Sequence, residues 1–241
     1  MITVHPITED SLMINFDDTI HLSVTQTIMQ LVEQLKLDSS SHLFSHQIKE
    51  NILEITPSYT SLFIQYRASR LTYEDINAVL EIWIKTHSSS KKKLSTCLHE
   101  LPVYYHPEVG LDLPLLAQQH QLTQKAIIQY HSQKEYHVYA IGFAPGFAFL
   151  GEVDSLIATP RRDSPRLNVP AGSVGIAEQQ TAVYPNNTPG GWNIIGNCPS
   201  PLFDISASPI TPFNVGDKVT FTPITREAFL ALGGQIDKNW T

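Results

Sequence analysis

The first ninety residues alternate between strand-like and helix-like patterns of apolar positions. Leu12, Ile14 and Phe16 alternate with polar or flexible residues, which predicts a strand. The apolar residues that follow lie at helical spacing and predict a helix: Val24, Ile28, Leu31, Val32 and Leu35. Residues 48–55 predict a weak strand, and residues 59–66 predict a stronger one.

A second helix is predicted after Thr72, because Asp75 follows it at the spacing of a capping box. Its apolar stripe consists of Ile76, Val79, Leu80, Trp83 and Ile84. Two helices on one face of a small antiparallel sheet predict a ferredoxin-like α/β sandwich. The polar run 88–93 has nothing to contribute to a core, so we predict domains 1–90 and 91–241.

The second predicted domain consists of short apolar runs between glycines and prolines. Residues 98–105 predict a strand, and short helices are predicted after Asp112 and from Thr123. Eight of the twelve glycines and eight of the sixteen prolines lie between positions 142 and 201, which excludes long helices there. We therefore predict a β-barrel or sandwich with elaborate loops and a final strand at 218–222. The fold class predicted for the whole chain is α+β.

Charge and composition exclude several kinds of partner. The formal net charge is −7, and the longest basic run is the three lysines at 91–93, so nucleic acid is not expected as a partner. No apolar stretch reaches the roughly 20 residues needed to span a bilayer, and the N-terminus does not resemble a signal peptide. Cys97 and Cys198 form no metal-ligand spacing, which favours two reduced thiols over a disulfide. We expect a cytoplasmic protein without a membrane partner.

Aromatic residues stand beside tight turns in the glycine-rich region. Pro145-Gly146 and Pro189-Gly190 are turn-forming pairs, and Gly191 extends the second. The aromatic residues beside them are Phe143, Phe147, Tyr184 and Trp192. Such residues on rigid loops suit a binding surface, although the same turns would also serve as the corners of a barrel.

Three of the six arginines lie within six residues, at Arg161, Arg162 and Arg166. Pro160 and Pro165 stiffen this segment. Guanidinium groups on a stiff loop are good ligands for carboxylate or phosphate, and the alternative is a solvated loop face.

Two familiar catalytic arrangements are excluded. The segment AGSVG at 171–175 imitates a nucleophile elbow, but its serine follows a proline and leads into a strand-like run. The last histidine is His137, so no histidine follows Ser173 to act as its base. No GxxxxGK[ST] phosphate loop is present either.

The run 138–204 carries a long ordered signature. It contains GFAPGFAFLG at 142–151, TPRRDSPRLNVPAGSVGIA at 159–177 and QTAVYPNNTPGGWNIIGNCPSPLFD at 180–204. These segments resemble the family of 5-oxoprolinase B subunits, also known as KipI-like or allophanate hydrolase subunit 1. Residues 57–62 extend the resemblance weakly. The chain departs from the family pattern in two places: it has EQQT at 178–181 where GGQT is usual, beginning with Glu178, and IGNCP at 195–199 where IGRTP is usual, with Asn197 in place of the arginine.

The resemblance implies a small α/β N-terminal domain and a cyclophilin-like β-barrel C-terminal domain. It implies partnership with the A and C subunits of 5-oxoprolinase, of which the C subunit is a second cyclophilin-like protein. Together these would use ATP to open 5-oxo-L-proline to L-glutamate. The isolated chain would be inactive, and no metal site is evident in the sequence.

The surface expected to face the small-molecule substrate and the partner combines the turns, aromatic residues and arginines. It comprises Phe143, Pro145, Gly146, Phe147, Arg161, Arg166, Ser173, Gln180, Tyr184, Gly190, Gly191 and Trp192. No catalytic residue is assigned. Two other functions stay open: a KipI-type inhibitor of a sensor histidine kinase, and a carboxyltransferase-like subunit of a urea carboxylase or allophanate hydrolase system.

Overall fold

The computed structural model describes residues 2–36, 43–87 and 96–236. The chain separates into two compact units, 1–95 and 96–241, each with its own apolar core. The predicted domain boundary near residue 90 lies outside the described residues and stays a prediction. Within the described ranges, no helix is long and apolar enough to cross a bilayer.

The first unit is a four-stranded antiparallel sheet with helices packed against it. Its elements are β1 (Thr3–Thr8), β2 (Ser11–Asn15), α1 (Leu22–Leu35), α2 (His46–Asn51), β3 (Ile52–Ser58), β4 (Ser61–Tyr66) and α3 (Tyr73–His87). Within the unit the strands lie in the order β1-β2-β4-β3. The pattern of apolar positions correctly predicted β2, β4, α1 and α3.

The capping box predicted at the start of α3 is confirmed. The Thr72 hydroxyl accepts a hydrogen bond from the Asp75 backbone N–H (3.2 Å), and the Asp75 carboxylate accepts one from the Thr72 N–H (2.9 Å). The stripe of α3 enters the core at Ile76, Leu80 and Trp83, which are fully buried. The capping box and the apolar stripe therefore both predicted α3 correctly.

Two parts of the first unit differ from the prediction. Residues 48–51 belong to α2, so the strand predicted at 48–55 is wrong in its first half. The reason is a helix cap, since the Ser45 hydroxyl accepts from the Ile48 N–H (3.3 Å). Strand β1 was not predicted because most of its residues are exposed and carry no apolar alternation.

The second unit is a β-sheet that closes on itself. Its strands are β5 (Leu98–Val103), β6 (Tyr136–Ile141), β7 (Ala148–Gly151), β8 (Arg166–Val169), β9 (Ser173–Ala177), β10 (Gln180–Val183), β11 (Thr188–Gly190), β12 (Asn193–Asn197) and β13 (Lys218–Pro223). Seven of them follow the order β5-β13-β6-β7-β10-β9-β12. Tyr104, just after β5, then bridges to Asn197 in β12 through two backbone hydrogen bonds of 2.9 and 3.0 Å. Strands β8 and β11 form a separate two-stranded ribbon.

Three helices accompany this barrel: α4 (Leu113–Gln119), α5 (Gln124–Ser132) and α6 (Arg226–Ala231). The barrel interior is filled by buried apolar side chains such as Val138, Leu150, Ile176 and Phe221. Helix α5 begins at its Thr123 cap, as predicted. The predicted barrel and its last strand are confirmed, and Cys97 and Cys198 are not bonded to each other in this structure.

His131, near the end of α5, is fully buried among the apolar side chains of this core. Its Nδ1 accepts from the Tyr105 hydroxyl (2.7 Å), and its Nε2–H donates to the Thr181 hydroxyl (2.8 Å), which in turn donates to the Gly175 carbonyl (2.9 Å). Burial lowers the pKa of His131 to about 3. The imidazole is therefore neutral, and both of its nitrogens have partners inside the protein.

Candidate functional site

The loop between β6 and β7 presents one aromatic ring to solvent. The Phe147 N–H donates to the Ala144 carbonyl (3.0 Å), which closes the turn at Pro145-Gly146. Gly146 has φ +82°, and a Cβ there would lie 2.5 Å from the Leu202 carbonyl oxygen, so this position requires glycine. Phe143 also has a positive φ, 69°, and is 66% exposed. A bulky residue in this strained conformation is a reason to suspect function.

The other three predicted aromatic side chains form a buried cluster beneath Phe143. Phe147 is at the centre, with ring centroids 5.1 Å from Phe143, 5.3 Å from Tyr184 and 5.6 Å from Trp192. Phe147, Tyr184 and Trp192 are each at most 5% exposed. The structure thus brings all four residues together, and only Phe143 offers its ring to a ligand or partner. The other three support it.

Burial raises the pKa of Tyr184 to about 12, against the opposing effects of a hydrogen bond from the Trp192 backbone and of the nearby Arg161 and Arg166. The phenol is consequently neutral at physiological pH. It can stabilise the cluster by hydrogen bonding, but it is not available as a base.

Gly190 is required by its contact with Tyr184. We expect Gly190→Ala to lower the free energy of unfolding by about 1–3 kcal/mol, because the added Cβ would lie 2.5 Å from the Tyr184 hydroxyl oxygen. The neighbouring Gly191→Ala is the matched control, since its Cβ would come no closer than 3.6 Å to another group. Urea unfolding of both variants checks the prediction, and equal losses would contradict it.

The arginine loop is anchored to a buried carboxylate that sequence reasoning missed. Arg166 donates to both oxygens of Asp112 (2.9 and 2.7 Å), and Arg162 donates to one of them (2.8 Å). The Ile194 N–H also donates to Asp112 (2.7 Å), whose side chain is 4% exposed. The Arg166 side chain is only 10% exposed. Its guanidinium therefore braces the barrel in this structure, which is the structural alternative to holding a ligand.

Arg161 differs from these two arginines. It is exposed, and no carboxylate within the described ranges forms an ion pair with it. Its backbone neighbour Arg162 donates an N–H to the Gly191 carbonyl (2.8 Å), which fixes the loop against the second glycine-rich turn. Arg161 is thus the arginine of this loop that is available to an anion.

Ser173 and Gln180 lie at opposite ends of the β9–β10 hairpin. Ser173 is fully buried at the start of β9 and faces Tyr184, whose N–H donates to the Ser173 carbonyl (2.9 Å). Gln180 begins β10 beside Ala177, four residues from Tyr184, a distance of roughly 13 Å along a strand. The predicted surface residues therefore do not form one patch, because Gln180 stands apart. Ser173 is the first residue of strand β9 and is not part of a nucleophile elbow, as expected.

The two departures from the family pattern have clear structural settings. Glu178 has φ +53°, a conformation that favours the glycine usual at this position. Asn197 is buried and donates its side-chain amide to the Ala171 carbonyl (2.9 Å), so it ties β12 to the loop before β9. Among the described residues, no group of three or more His, Cys, Asp or Glu side chains could hold a metal ion.

Two comparisons identify the class of protein to which this closed barrel, braced arginine loop and aromatic turn belong. The family described as carboxyltransferase domain, subdomain C and D, matches residues 2–213. The chain is 38% identical to the 5-oxoprolinase B subunit of Escherichia coli O157:H7 over 173 residues, covering 72% of this chain and 78% of the relative. We conclude that the chain belongs to the family of 5-oxoprolinase B subunits within this carboxyltransferase class.

A second relative agrees with this family, and two solved structures share the fold. The Bacillus subtilis 5-oxoprolinase B subunit is 48% identical over 132 residues, and the chain spans only about half of its length, 55%. The crystal structure of TTHA0988 superposes with a TM-score of 0.74 at 28% identity, covering 92% of this chain and 40% of the other. Kluyveromyces lactis urea carboxylase, at 15% identity and a TM-score of 0.70, shares the fold over 95% of this chain and 22% of its own.

Proposed function

We propose that this chain is the B subunit of an ATP-dependent 5-oxoprolinase that opens 5-oxo-L-proline to L-glutamate together with the A and C subunits. The observation that carries the proposal is the 38% identity to the Escherichia coli B subunit over most of both chains. The matched family model supports it. We also propose that the two units are ferredoxin-like and cyclophilin-like, and that the protein is cytoplasmic.

Opening the ring adds one water across its C–N bond and yields the carboxylate and amine of glutamate. An amide is unreactive, so ATP is needed to activate its oxygen, as the family resemblance implies. This sequence has no GxxxxGK[ST] loop and no histidine after His137, and His131 is buried and neutral. We therefore place nucleotide binding on a partner protein and expect the isolated chain to be inactive.

This chain's contribution would be a rigid surface for the substrate's carboxylate and for the partner. Phe143, Pro145 and Arg161 are its exposed members, and Gly191 is half-buried beside them. Phe147, Tyr184 and Trp192 support the loops from below. Gly146 and Gly190 permit the close backbone packing that holds the turns. Arg166, Ser173 and Gln180 keep only indirect roles in this proposal.

The direct test is reconstitution of the activity with purified subunits. This chain, mixed with the A and C subunits from the same organism, should release glutamate from 5-oxoproline only when ATP is present. Each single omission should abolish release. Turnover by this chain alone, free of contaminants, would contradict the proposal.

A carboxyltransferase-like role is the second candidate, favoured by the matched family description and by the shared fold of urea carboxylase. Transfer of labelled carboxyl from carboxybiotin to urea, measured with the same preparation, distinguishes it. The KipI-type alternative predicts inhibition of sensor-kinase autophosphorylation by this chain alone.

Arg161→Ala is expected to reduce the activity of the reconstituted complex roughly tenfold to a hundredfold, because one charge-assisted contact to an anion is lost. The melting temperature of the free chain should not change, since Arg161 is exposed. Arg226→Ala is the matched control. It removes an arginine that lies outside the 160–166 loop and pairs with Glu108, and it should leave activity intact. Full activity of Arg161→Ala would remove Arg161 from the site.

A further inference from the structure

A polar groove in the first unit lies outside everything described for the signature loops. It has a volume of about 500 Å³, and the described residues that line it are all polar or charged: Gln47, Glu50, Asn51, Arg67 and Arg70. This volume lies within the range of small-molecule sites in proteins. A lining of this kind suits a small charged ligand better than an apolar one.

The backbone on both sides of the groove is held in place. The Arg67 N–H donates to the Asn51 carbonyl (2.9 Å), which ties the end of β4 to the end of α2. Arg70 and Leu71 both donate their N–H groups to the Arg67 carbonyl (2.9 and 3.0 Å), which forms a tight turn. The Asn51 side-chain amide donates to the Gln47 carbonyl (2.8 Å). The two arginines therefore project from a fixed turn at one edge of the groove.

Like Arg161, Arg67 and Arg70 have no carboxylate partner among the described residues, whereas the other three arginines do. Arg162 and Arg166 pair with Asp112, and Arg226 pairs with Glu108. Within the part of the chain that the structure describes, no carboxylate forms an ion pair with Arg67 or Arg70. The third charged residue of the groove, Glu50, lies 3.2 Å from His46 on the exposed side of α2.

We propose that this groove binds a dicarboxylic amino acid, with its two carboxylates held by Arg67 and Arg70 and its ammonium group beside Glu50. Among the described lining residues, two arginines and one glutamate give a formal charge of +1, which matches the net charge of −1 on such a ligand. The planar guanidinium fork suits a carboxylate. A dianion without an ammonium group would bring its negative charge beside the Glu50 carboxylate with no positive group of its own to offset it, so the groove should discriminate against it. This site is separate from the proposed ring-opening surface and does not depend on it.

The test is titration of the free full-length chain with L-glutamate, followed by backbone amide NMR. Glutarate, which is glutamate without its ammonium group, and inorganic phosphate serve as comparators. We expect glutamate to shift the amides of Asn51, Arg67 and Leu71, and to bind at least roughly tenfold more tightly than glutarate. Arg67→Ala/Arg70→Ala should weaken glutamate binding roughly a hundredfold or more, because two charge-assisted contacts are lost.

Two further variants separate this site from the signature surface. Glu50→Gln should remove most of the preference for glutamate over glutarate while the chain stays folded. Arg161→Ala, in the second unit, should leave these amide shifts unchanged. Glutamate binding that survives the double arginine variant but is lost in Arg161→Ala would overturn the groove and locate the ligand at the signature loops. Equal binding of glutamate, glutarate and phosphate would overturn the amino-acid assignment.

Discussion

Asp112→Asn is expected to lower the free energy of unfolding of the second unit by about 3–5 kcal/mol. The wild-type carboxylate accepts from Arg166, Arg162 and the Ile194 N–H, and it is almost completely buried. An asparagine of the same size carries no charge and turns an N–H group toward a guanidinium. Two cations would then be left without their shared counter-ion, and one of them is largely buried.

Urea unfolding followed by circular dichroism measures this loss, and hydrogen exchange of the β12 amides assigns it to the second unit. Glu108→Gln is the matched control, because its pair with Arg226 is partly exposed and should contribute no more than about 1 kcal/mol. Arg166→Ala should resemble Asp112→Asn and lose stability together with activity. If Asp112→Asn were as stable as the control, the contacts of Asp112 with Arg162, Arg166 and Ile194 would not be what holds the 160–166 loop in place.

Acid should destabilise the second unit through His131. In the folded protein its pKa is lowered to about 3 by burial, whereas the unfolded chain titrates near 6.5. Between these values the unfolded state binds the additional proton, so stability falls as the pH falls from about 6 toward 3. The slope from this group is about 1.4 kcal/mol per pH unit, and its total effect is on the order of 5 kcal/mol. Above the unfolded-state pKa this group causes no loss.

His131→Gln should remove this component of the acid slope, because glutamine does not titrate. Thr181→Val is the informative comparison: it breaks the hydrogen bond to Nε2 but leaves the imidazole buried. That variant should be less stable at neutral pH by about 1–3 kcal/mol and should keep the slope. Unfolding free energies measured at intervals between neutral pH and about pH 4 provide the comparison. An unchanged slope in His131→Gln would show that other groups cause the acid loss.

The elements that could be predicted from the sequence are those whose signals are local. The stripe of Ile76, Leu80 and Trp83 and the cap at Thr72 lie close together along the chain, so α3 was predicted correctly. The strand predicted at 48–55 failed in its first half because Ile48 and Ile52 suit either a strand or the end of a helix, and the Ser45 cap decides for the helix.

The sequence predicted which residues belong to the candidate site but not which side chains they contact. Phe143, Phe147, Tyr184 and Trp192 do come together, since the turns that position them are encoded by glycine and proline. In the sequence, Asp112 is only the residue before a helix. Its arginine partners lie 50 and 54 positions away, and only the closed barrel brings them to it. Burial of three aromatic rings is likewise a property of the tertiary structure.

The Asp112 network has a consequence for how this protein would meet its partner. Folding already immobilises the 160–166 loop against Asp112 and Gly191, so little ordering remains to be done when two subunits associate. The rate of association would then be limited mainly by how often the two proteins meet in the correct orientation, which gives association rate constants of roughly 10⁵–10⁷ M⁻¹ s⁻¹. Substitutions on the exposed side of these loops should consequently change how long the complex lasts far more than how quickly it forms.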